Sequence, residues 1–243
     1  MTPPGLLSAL RGRLRPGPVI LVYHRVAAPD ADPQLLAVSP ARFSEQLRIL
    51  RKVLAPCRLA DLGAGAKGVA VTFDDGYADN LHQALPALKA QGIPATVFVC
   101  SGQVGSAREF WWDDLERLLL TPGRLPATLA VSVGGRELSW AGIETSFARS
   151  DLERFKAWNV LTPPPTARHR LYAELCRLLR PLAVDERARL VGEVAAWAQR
   201  PAEGRPSHRA LDREELRSLA ADGLVEIGSH TVDHQVLAGL PAE

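Results

Sequence analysis

Short apolar runs alternate with amphipathic stretches through the first hundred residues of the chain. Three of these runs, Pro18 to Tyr23, Val69 to Phe73 and Ala95 to Cys100, are short and rich in β-branched residues. This pattern is typical of strands that are buried on both faces of a parallel sheet. The sequence therefore predicts three strands, and Cys100 is expected to be a small buried residue at the end of the third.

Helical periodicity fills the two gaps between these strands. Ser39 and Pro40 supply a cap and a first-turn proline, and apolar positions then recur at helical spacing through Val53. A second helix is predicted from Ala78 to Gln91, because Gly92 and the proline that follows it end the pattern. The resulting order is β-α-β-α-β.

The same alternation returns near the end of the chain. Asp212 can cap a helix from Arg213 to Ala221, Gly223 can end it, and Leu224 to Ile227 is predicted to be a further strand. Repeated alternation of this kind predicts an α/β fold with a parallel sheet or barrel.

The segment between these units has a different pattern. It begins with an amphipathic helix at Trp111 and continues with a possible hairpin around Gly134 and Gly135. Three more helices are predicted near Leu152 to Asn159, Thr166 to Arg180 and Asp185 to Gln199. We therefore expect a single domain in which residues 1–110 begin the fold, residues 111–207 form a mainly helical insertion or lid, and residues 208–243 continue the fold.

Composition excludes several classes of protein. Of 243 residues, 47% are hydrophobic, so the chain can bury a sizeable core. The formal net charge is only +2 and the arginines are scattered, which argues against a nucleic-acid partner.

No apolar stretch is long enough for a membrane span, and Met1 to Arg15 lacks a signal-peptide pattern, so we expect a cytoplasmic protein. The three cysteines contain no C-x-x-C pair and suggest neither a disulfide framework nor a thiolate metal site.

Polar side chains follow the predicted strands directly. His24 follows the first strand, Asp74 and Asp75 follow the second, and His230 follows the last. The carboxyl ends of parallel strands are where α/β proteins build their active sites. These residues are therefore the candidates for chemistry.

One carboxylate and two histidines among these residues suit a catalytic metal. Asp75, His230 and His234 offer one oxygen and two nitrogen ligands and leave positions open for water and substrate. Asp74, next to a ligand, could act as the catalytic base. His24 could contact substrate or Asp74, although a structural hydrogen bond is an equal alternative for a single histidine.

Each of these signals has an ordinary structural alternative. An Asp-Asp-Gly sequence is often only a turn, and two histidines four residues apart are often on the surface or in the core. Their joint position after apolar strands favours a functional site.

Trp111 and Trp112 could stack on a sugar, but packing is the preferred interpretation. His82, His169 and His208 show no partner pattern and are expected to be solvated.

A glycine-rich segment gives a further, weaker signal. Gly63-Ala64-Gly65-Ala66-Lys67-Gly68 fits the spacing of a dinucleotide-binding motif, but it precedes a strand instead of following one. We therefore reject a nucleotide site and expect a flexible linker.

Three segments carry a resemblance to a known family. Val71-Thr72-Phe73-Asp74-Asp75-Gly76-Tyr77 and Ser229-His230-Thr231-Val232-Asp233-His234 resemble the first and second motifs of the polysaccharide deacetylase family, the NodB-homology domain. The run Leu21-Val22-Tyr23-His24-Arg25-Val26 is similar to the opening strand of one branch of that family.

This resemblance implies a fold, a cofactor and a reaction. The fold would be a deformed (β/α) barrel, and a divalent metal would be held by Asp75, His230 and His234. Zinc is the first expectation, with cobalt, nickel, manganese and iron left open. Asp74 would be the base in removing acetyl groups from an acetylated polysaccharide or oligosaccharide. An N-acetylhexosamine polymer or precursor is expected, cleaved at a carbon-nitrogen bond that is not a peptide bond.

The sequence departs from the family pattern after the second motif. The later motifs, which carry an arginine, a Tyr-Pro-Gly segment and a histidine acid, are absent before Glu243. The sequence therefore predicts a barrel incomplete at its C-terminus. Two alternatives follow: a truncated, non-catalytic fragment that binds a glycan or a partner, or a chain whose barrel is completed by a second polypeptide.

Overall fold

The computed structural model of the protein describes residues 17–63, 68–201 and 203–237. The segment Met1 to Arg15 and most of the glycine-rich segment interpreted as a linker lie outside these residues. The strands are β1 (Val19–Tyr23), β2 (Arg25–Val26), β3 (Ala37–Val38), β4 (Val69–Phe73), β5 (Ala95–Val99), β6 (Gly123–Arg124), β7 (Thr128–Val133), β8 (Arg136–Ala141), β9 (Ser146–Phe147) and β10 (Val225–Ser229). The α-helices are α1 (Pro40–Val53), α2 (Leu85–Gln91), α3 (Trp111–Leu119), α4 (Arg149–Phe155), α5 (Ala167–Leu179), α6 (Val184–Ala198) and α7 (Arg213–Ala221).

The four predicted apolar runs form one parallel sheet. Its strand order is β1-β4-β5-β10, with every neighbouring pair parallel. The α/β class and the parallel sheet are therefore confirmed. In the part of the chain that the structure describes, β1 and β10 are the edges of this sheet, so closure into a barrel stays a prediction.

One face of the sheet carries the core that the helices cover. Val71 and Phe73 of β4 and Val97 of β5 are at most 1% exposed, and they share a hydrophobic cluster with Phe43 and Leu47 of α1. Residues of β1 on the opposite face are more open, with Ile20 at 52% and Val22 at 55% exposed. The side chains of a strand alternate between faces, and Ala70 and Thr72 of β4, which pair with Ile20 and Val22, are only 0% and 3% exposed. The opposite face is therefore open at the edge strand β1 and covered at β4.

Local signals set the ends of the helices. The Ser39 hydroxyl accepts a hydrogen bond from the Arg42 amide at the start of α1, and Asp212 caps α7 through the amides of Glu214 and Glu215. The helix predicted from Ala78 to Gln91 is only partly correct. It consists of a π-helical turn, Asn80–Ala84, that leads into α2, which Gly92 ends at a φ of 60°.

The segment between β5 and β10 has its own hydrophobic cluster. Residues of α3, α5 and α6 pack together with the hairpin β7–β8, whose turn is Gly134 and Gly135 as the sequence predicted. Two short pairings were not predicted, β2 with β3 and β6 with β9. The division into residues 1–110, 111–207 and 208–243 stays a prediction.

Two histidines differ from expectation. His169 is 2% exposed and His208 is 7% exposed, so the prediction that they are solvated is wrong. His169 lies among the rings of Phe155 and Trp158, and its Nδ1 lies 2.9 Å from the Thr166 hydroxyl. His82 is exposed, as predicted.

Among the described residues, no helix is long and apolar enough to cross a membrane.

Candidate metal centre

A tight turn after β4 positions the first candidate ligand. Asp75 has a φ of 72° and Gly76 a φ of 82°, so the chain makes two left-handed steps directly after the strand. A side chain at Gly76 would approach Val99 of β5 to 2.8 Å, so glycine is needed there for space as well as for its backbone angle. The Asp75 carbonyl accepts a hydrogen bond from the Cys100 amide, which fastens the turn to the end of β5.

A loop after β10 carries the two histidines. The His230 amide donates to the Val99 carbonyl, which continues the pairing of β10 with β5. Beyond it, the amides of Ser101 and Gly102 donate to the carbonyls of Thr231 and Val232. The left-handed backbone of Thr231 and of His234, with φ of 64° and 54°, folds this loop back on itself. Both imidazoles are thereby brought to one side.

The structure brings the three predicted ligands together. The Nε2 atoms of His230 and His234 lie 3.7 Å and 3.4 Å from Asp75 Oδ1, and one ligand atom from each residue lies within 4.8 Å of the others. Two donors that each lie about 2.1 Å from a tetrahedral zinc ion are about 3.4 Å apart. The two separations measured from Asp75 Oδ1 are therefore close to those around a single divalent cation.

The burial of the Asp75 carboxylate and its lack of hydrogen bonds also fit a bound cation. Asp75 is 1% exposed, and neither of its carboxylate oxygens has a hydrogen-bond partner among the described residues. A buried carboxylate without partners is costly unless it is neutralised. One oxygen donor and two imidazoles match the ligand preferences of zinc and related metals.

Burial controls the proton affinities at this site. Desolvation raises the pKa of Asp75 to about 7, and the neighbouring Asp74 carboxylate adds to the effect. Desolvation lowers the pKa of His234, and the nearby His230 acts in the same direction. A lowered pKa keeps the His234 imidazole neutral, which is the form that binds a metal.

Asp74 and His24 lie beside the three ligands. The Asp74 amide donates to the Tyr23 carbonyl, so the backbone of Asp74 is held against the end of β1. Burial lowers the pKa of His24, while the Asp74 carboxylate acts in the opposite direction and His230 adds to the lowering. His24 follows β1 and Asp74 follows β4, so both lie at the edge of the sheet that carries the centre, but neither one belongs to the three-ligand cluster.

Sequence reasoning missed the aromatic support of the centre. The rings of Trp112 and His234 meet edge to face with centroids 5.0 Å apart. Trp112 Nε1 donates to the Tyr77 hydroxyl, which donates to Asp113, and the Arg25 guanidinium lies over the Tyr77 ring. The expectation that Trp112 packs in the interior is met at 6% exposure, but its contact with a candidate ligand gave no sequence signal.

Part of the chain is similar to a known sequence family and to a known relative. Residues 62–122 match the family model described as Polysaccharide deacetylase, and this match confirms the resemblance of the first motif, Val71 to Tyr77, which lies within these residues. A stretch of 108 residues is 32% identical to YxkH of Bacillus subtilis (strain 168), a protein named after the polysaccharide deacetylases. That stretch covers 41% of this chain and 37% of YxkH, so the chain spans well under two thirds of its relative.

Two solved structures are also similar over most of the chain. A de-N-acetylase from Aggregatibacter actinomycetemcomitans is 16% identical with a TM-score of 0.40, covering 89% of this chain and 55% of that one. IcaB from Ammonifex degensii is 22% identical with a TM-score of 0.35, covering 92% of this chain and 88% of that one.

Proposed function

We propose that this chain, whose residues 62–122 match the polysaccharide deacetylase family model, is a metal-dependent hydrolase that removes acetyl groups from a glycan. The observation that carries the proposal is the meeting of Asp75, His230 and His234 around one point at the carboxyl ends of β4 and β10. The substrate is an acetylated polysaccharide or oligosaccharide, with N-acetylhexosamine units preferred, and the bond cleaved is a carbon-nitrogen bond of an amide outside any peptide.

Asp75, His230 and His234 hold the metal in this proposal. A bound divalent ion, zinc by first preference, would acidify water and polarise the acetyl carbonyl. The buried Asp75 carboxylate fixes the position of the cation because it has no competing hydrogen bonds among the described residues. Trp112 packs against His234 and restricts the orientation of its imidazole.

Asp74 is the base in this proposal. Its carboxylate accepts the proton of the attacking water and later returns a proton to the leaving amine. Asp74 is half-buried and adjacent to Asp75, so it can act on the same water without being a ligand itself. His24 lies on the β1 side of Asp74 and contacts the substrate.

The surrounding fold is also part of the proposal. The parallel sheet β1-β4-β5-β10 would form one wall of a deformed (β/α) barrel, with residues 111–207 as an insertion beside its mouth. Support comes from the position of all five candidate residues at the carboxyl ends of the parallel strands, where barrels of this class place their chemistry.

Acetate release from N-acetylated chitotetraose by zinc-loaded protein tests the proposal. We expect wild-type turnover and a loss of about 10²-fold or more in kcat for Asp74→Asn, because a positioned general base contributes on this scale. Zinc affinity measured by titration should be unchanged in the same variant. The proposal is wrong if the zinc-loaded wild-type protein releases no acetate from N-acetylated or O-acetylated oligosaccharides, or if Asp74→Asn is as active as wild type.

A further inference from the structure

A cavity of about 800 Å³ lies next to the metal centre and is not part of it. Its walls come from α5, from the segment around Val160 to Pro164, and from the connection between α5 and α6. Gln235 and Val236, which directly follow the ligand His234, complete the lining. The loop that carries the histidines is thus shared between the centre and the cavity. A volume of this size is ordinary for a site that binds a small ligand.

The charged groups that line this cavity are all positive. Arg170, Arg177, Arg180 and Arg187 contribute to its walls, and no aspartate or glutamate does. None of these four arginines forms a salt bridge with a carboxylate among residues 17–63, 68–201 and 203–237. Glu174, on the same helix as two of them, is engaged by Trp140 Nε1 and does not line the cavity.

Arg187 is the buried member of this set. It is 5% exposed, and its guanidinium donates to the carbonyls of Leu182 and Asp233. Its Nε is buried with no hydrogen-bond partner in the described part of the chain. The Asp233 carboxylate raises the pKa of this guanidinium without forming a salt bridge to it, while desolvation by burial has the larger, opposite effect. A buried cation whose hydrogen bonds go only to backbone oxygens favours a closer anion.

Contacts of Arg187 join the cavity to the metal centre. Its guanidinium lies over the ring of Trp111, which packs edge to face on Trp112, and Trp112 in turn packs on His234. Its hydrogen bond to the Asp233 carbonyl reaches the residue before His234. The lining of the cavity is therefore joined to the histidine loop both through the backbone of Asp233 and through the two tryptophans.

We infer that this cavity binds an anionic group, a carboxylate or a phosphate, carried by the glycan whose acetyl group is removed at the metal centre. The inference rests on the proposed function and adds the charge class of the substrate. Arginine suits this role because its planar guanidinium makes paired hydrogen bonds to carboxylate and phosphate oxygens. Val160, Leu182 and Val236 give the same cavity apolar surface for the body of a sugar ring.

Binding of three sugars to the zinc-loaded protein tests the inference by calorimetric titration. The probes are a tetrasaccharide of alternating N-acetylglucosamine and glucuronic acid, N-acetylglucosamine 1-phosphate, and neutral N-acetylated chitotetraose. The test variant is Arg177→Gln with Arg180→Gln, because both side chains are exposed and their replacement leaves the core intact. The control variant is Arg213→Gln with Arg217→Gln, two exposed arginines on α7 that do not line the cavity.

We expect at least one anionic sugar to bind wild type about 10-fold more tightly than chitotetraose, and binding to weaken as salt is added. The test variant should lose about 10-fold in affinity for that sugar and none for chitotetraose, while the control variant matches wild type. Preference for the tetrasaccharide identifies a carboxylate, and preference for the sugar phosphate identifies a phosphate. Equal wild-type affinity for all three probes, or a test variant with wild-type affinity for the anionic sugars, overturns the inference.

The two claims fail separately because binding is measured without turnover. Protein that binds the anionic sugar through Arg177 and Arg180 but releases no acetate from any glycan contradicts the proposed function alone. Protein that releases acetate but shows no preference for an anionic sugar contradicts the anion site alone.

Discussion

At the scale of single residues, Asp75 combines features that cost stability. Its backbone is left-handed, its side chain is buried, and both carboxylate oxygens are without hydrogen-bond partners among the described residues. Each of these features is unfavourable by itself, and backbone strain of this kind is concentrated at functional sites. A bound cation would offset the electrostatic part of this cost, so metal binding and folding should be linked at this residue.

Asp75→Asn should therefore change stability in opposite directions with and without metal. In chelator-treated protein we expect a free energy of unfolding about 1 to 2 kcal/mol higher than wild type, because a buried, unpaired carboxylate becomes neutral. Zinc at about 100 times its Kd should stabilise wild type by about 2.7 kcal/mol and leave this variant unchanged. Urea unfolding measures both effects. Asp74→Asn is the control and should keep the zinc response; an Asp75→Asn variant that keeps it would remove Asp75 from the ligand set.

Gly76 is the residue that permits the turn at Asp75. Gly76→Ala should destabilise the protein by about 3 kcal/mol, since the new methyl group meets Val99 at 2.8 Å and the φ of 82° is unfavourable for alanine. Gly135→Ala is the matched control: its φ is 77°, but nothing lies within 4 Å of the added carbon, so only about 1 to 2 kcal/mol is expected. Equal losses in urea unfolding would show that contact with β5 is unimportant.

At the scale of elements, the sequence predicts most reliably where one signal dominates. The run Val69–Phe73 is apolar throughout and lies in the centre of the sheet, so its strand has the predicted bounds. Asp212 caps α7 as predicted because capping depends only on near neighbours. The π-helical turn Asn80–Ala84 and the two-residue strands β2 and β3 escaped prediction, since elements this short show no periodicity of their own.

The site residues that could be predicted also depend on local signals, and those that were missed depend on contacts between distant segments. Asp75, His230 and His234 could be named because each follows an apolar strand, whereas Trp112 reaches His234 only through the packing of α3. The burial of His169 likewise depends on aromatic residues of a different segment, Phe155 and Trp158. Contacts between distant segments leave no periodicity in a single sequence.

The burial of His169 should make the stability of α5 and its neighbours depend on pH. Desolvation lowers the pKa of His169 from 6.5 to about 4. Between these values the unfolded chain binds a proton that the folded protein does not, so stability is full above pH 6.5 and falls as pH drops toward 4. The loss is at most about 1.4 kcal/mol per pH unit.

His169→Gln should remove this contribution. We expect the decline of unfolding free energy between pH 6 and pH 4.5 to be shallower than in wild type by about 1 kcal/mol per pH unit. Arg170→Gln, a change at the neighbouring exposed position, is the control. Parallel pH profiles for wild type and His169→Gln in urea unfolding would rule out His169 as the source.

At the scale of the whole molecule, the candidate centre joins segments that are far apart in the chain. Asp75 follows β4, the histidines follow β10, and β5 lies between these strands and anchors both loops through Val99 and Cys100. The segment between β5 and β10 contributes Trp112 to this centre and most of the lining of the arginine-lined cavity. The sheet and the histidine loop must therefore both form before the three ligands can meet, and Trp112 packs on one of those ligands.

Anomalous scattering at the zinc edge from crystals grown with Zn²⁺ tests this account most directly. The account predicts one strong peak at about 2.0 to 2.2 Å from an Asp75 carboxylate oxygen and from one nitrogen each of His230 and His234, with Asp74 outside the ligand set. A peak bound by other residues, or crystals soaked in zinc that show no peak at these three side chains, would contradict it.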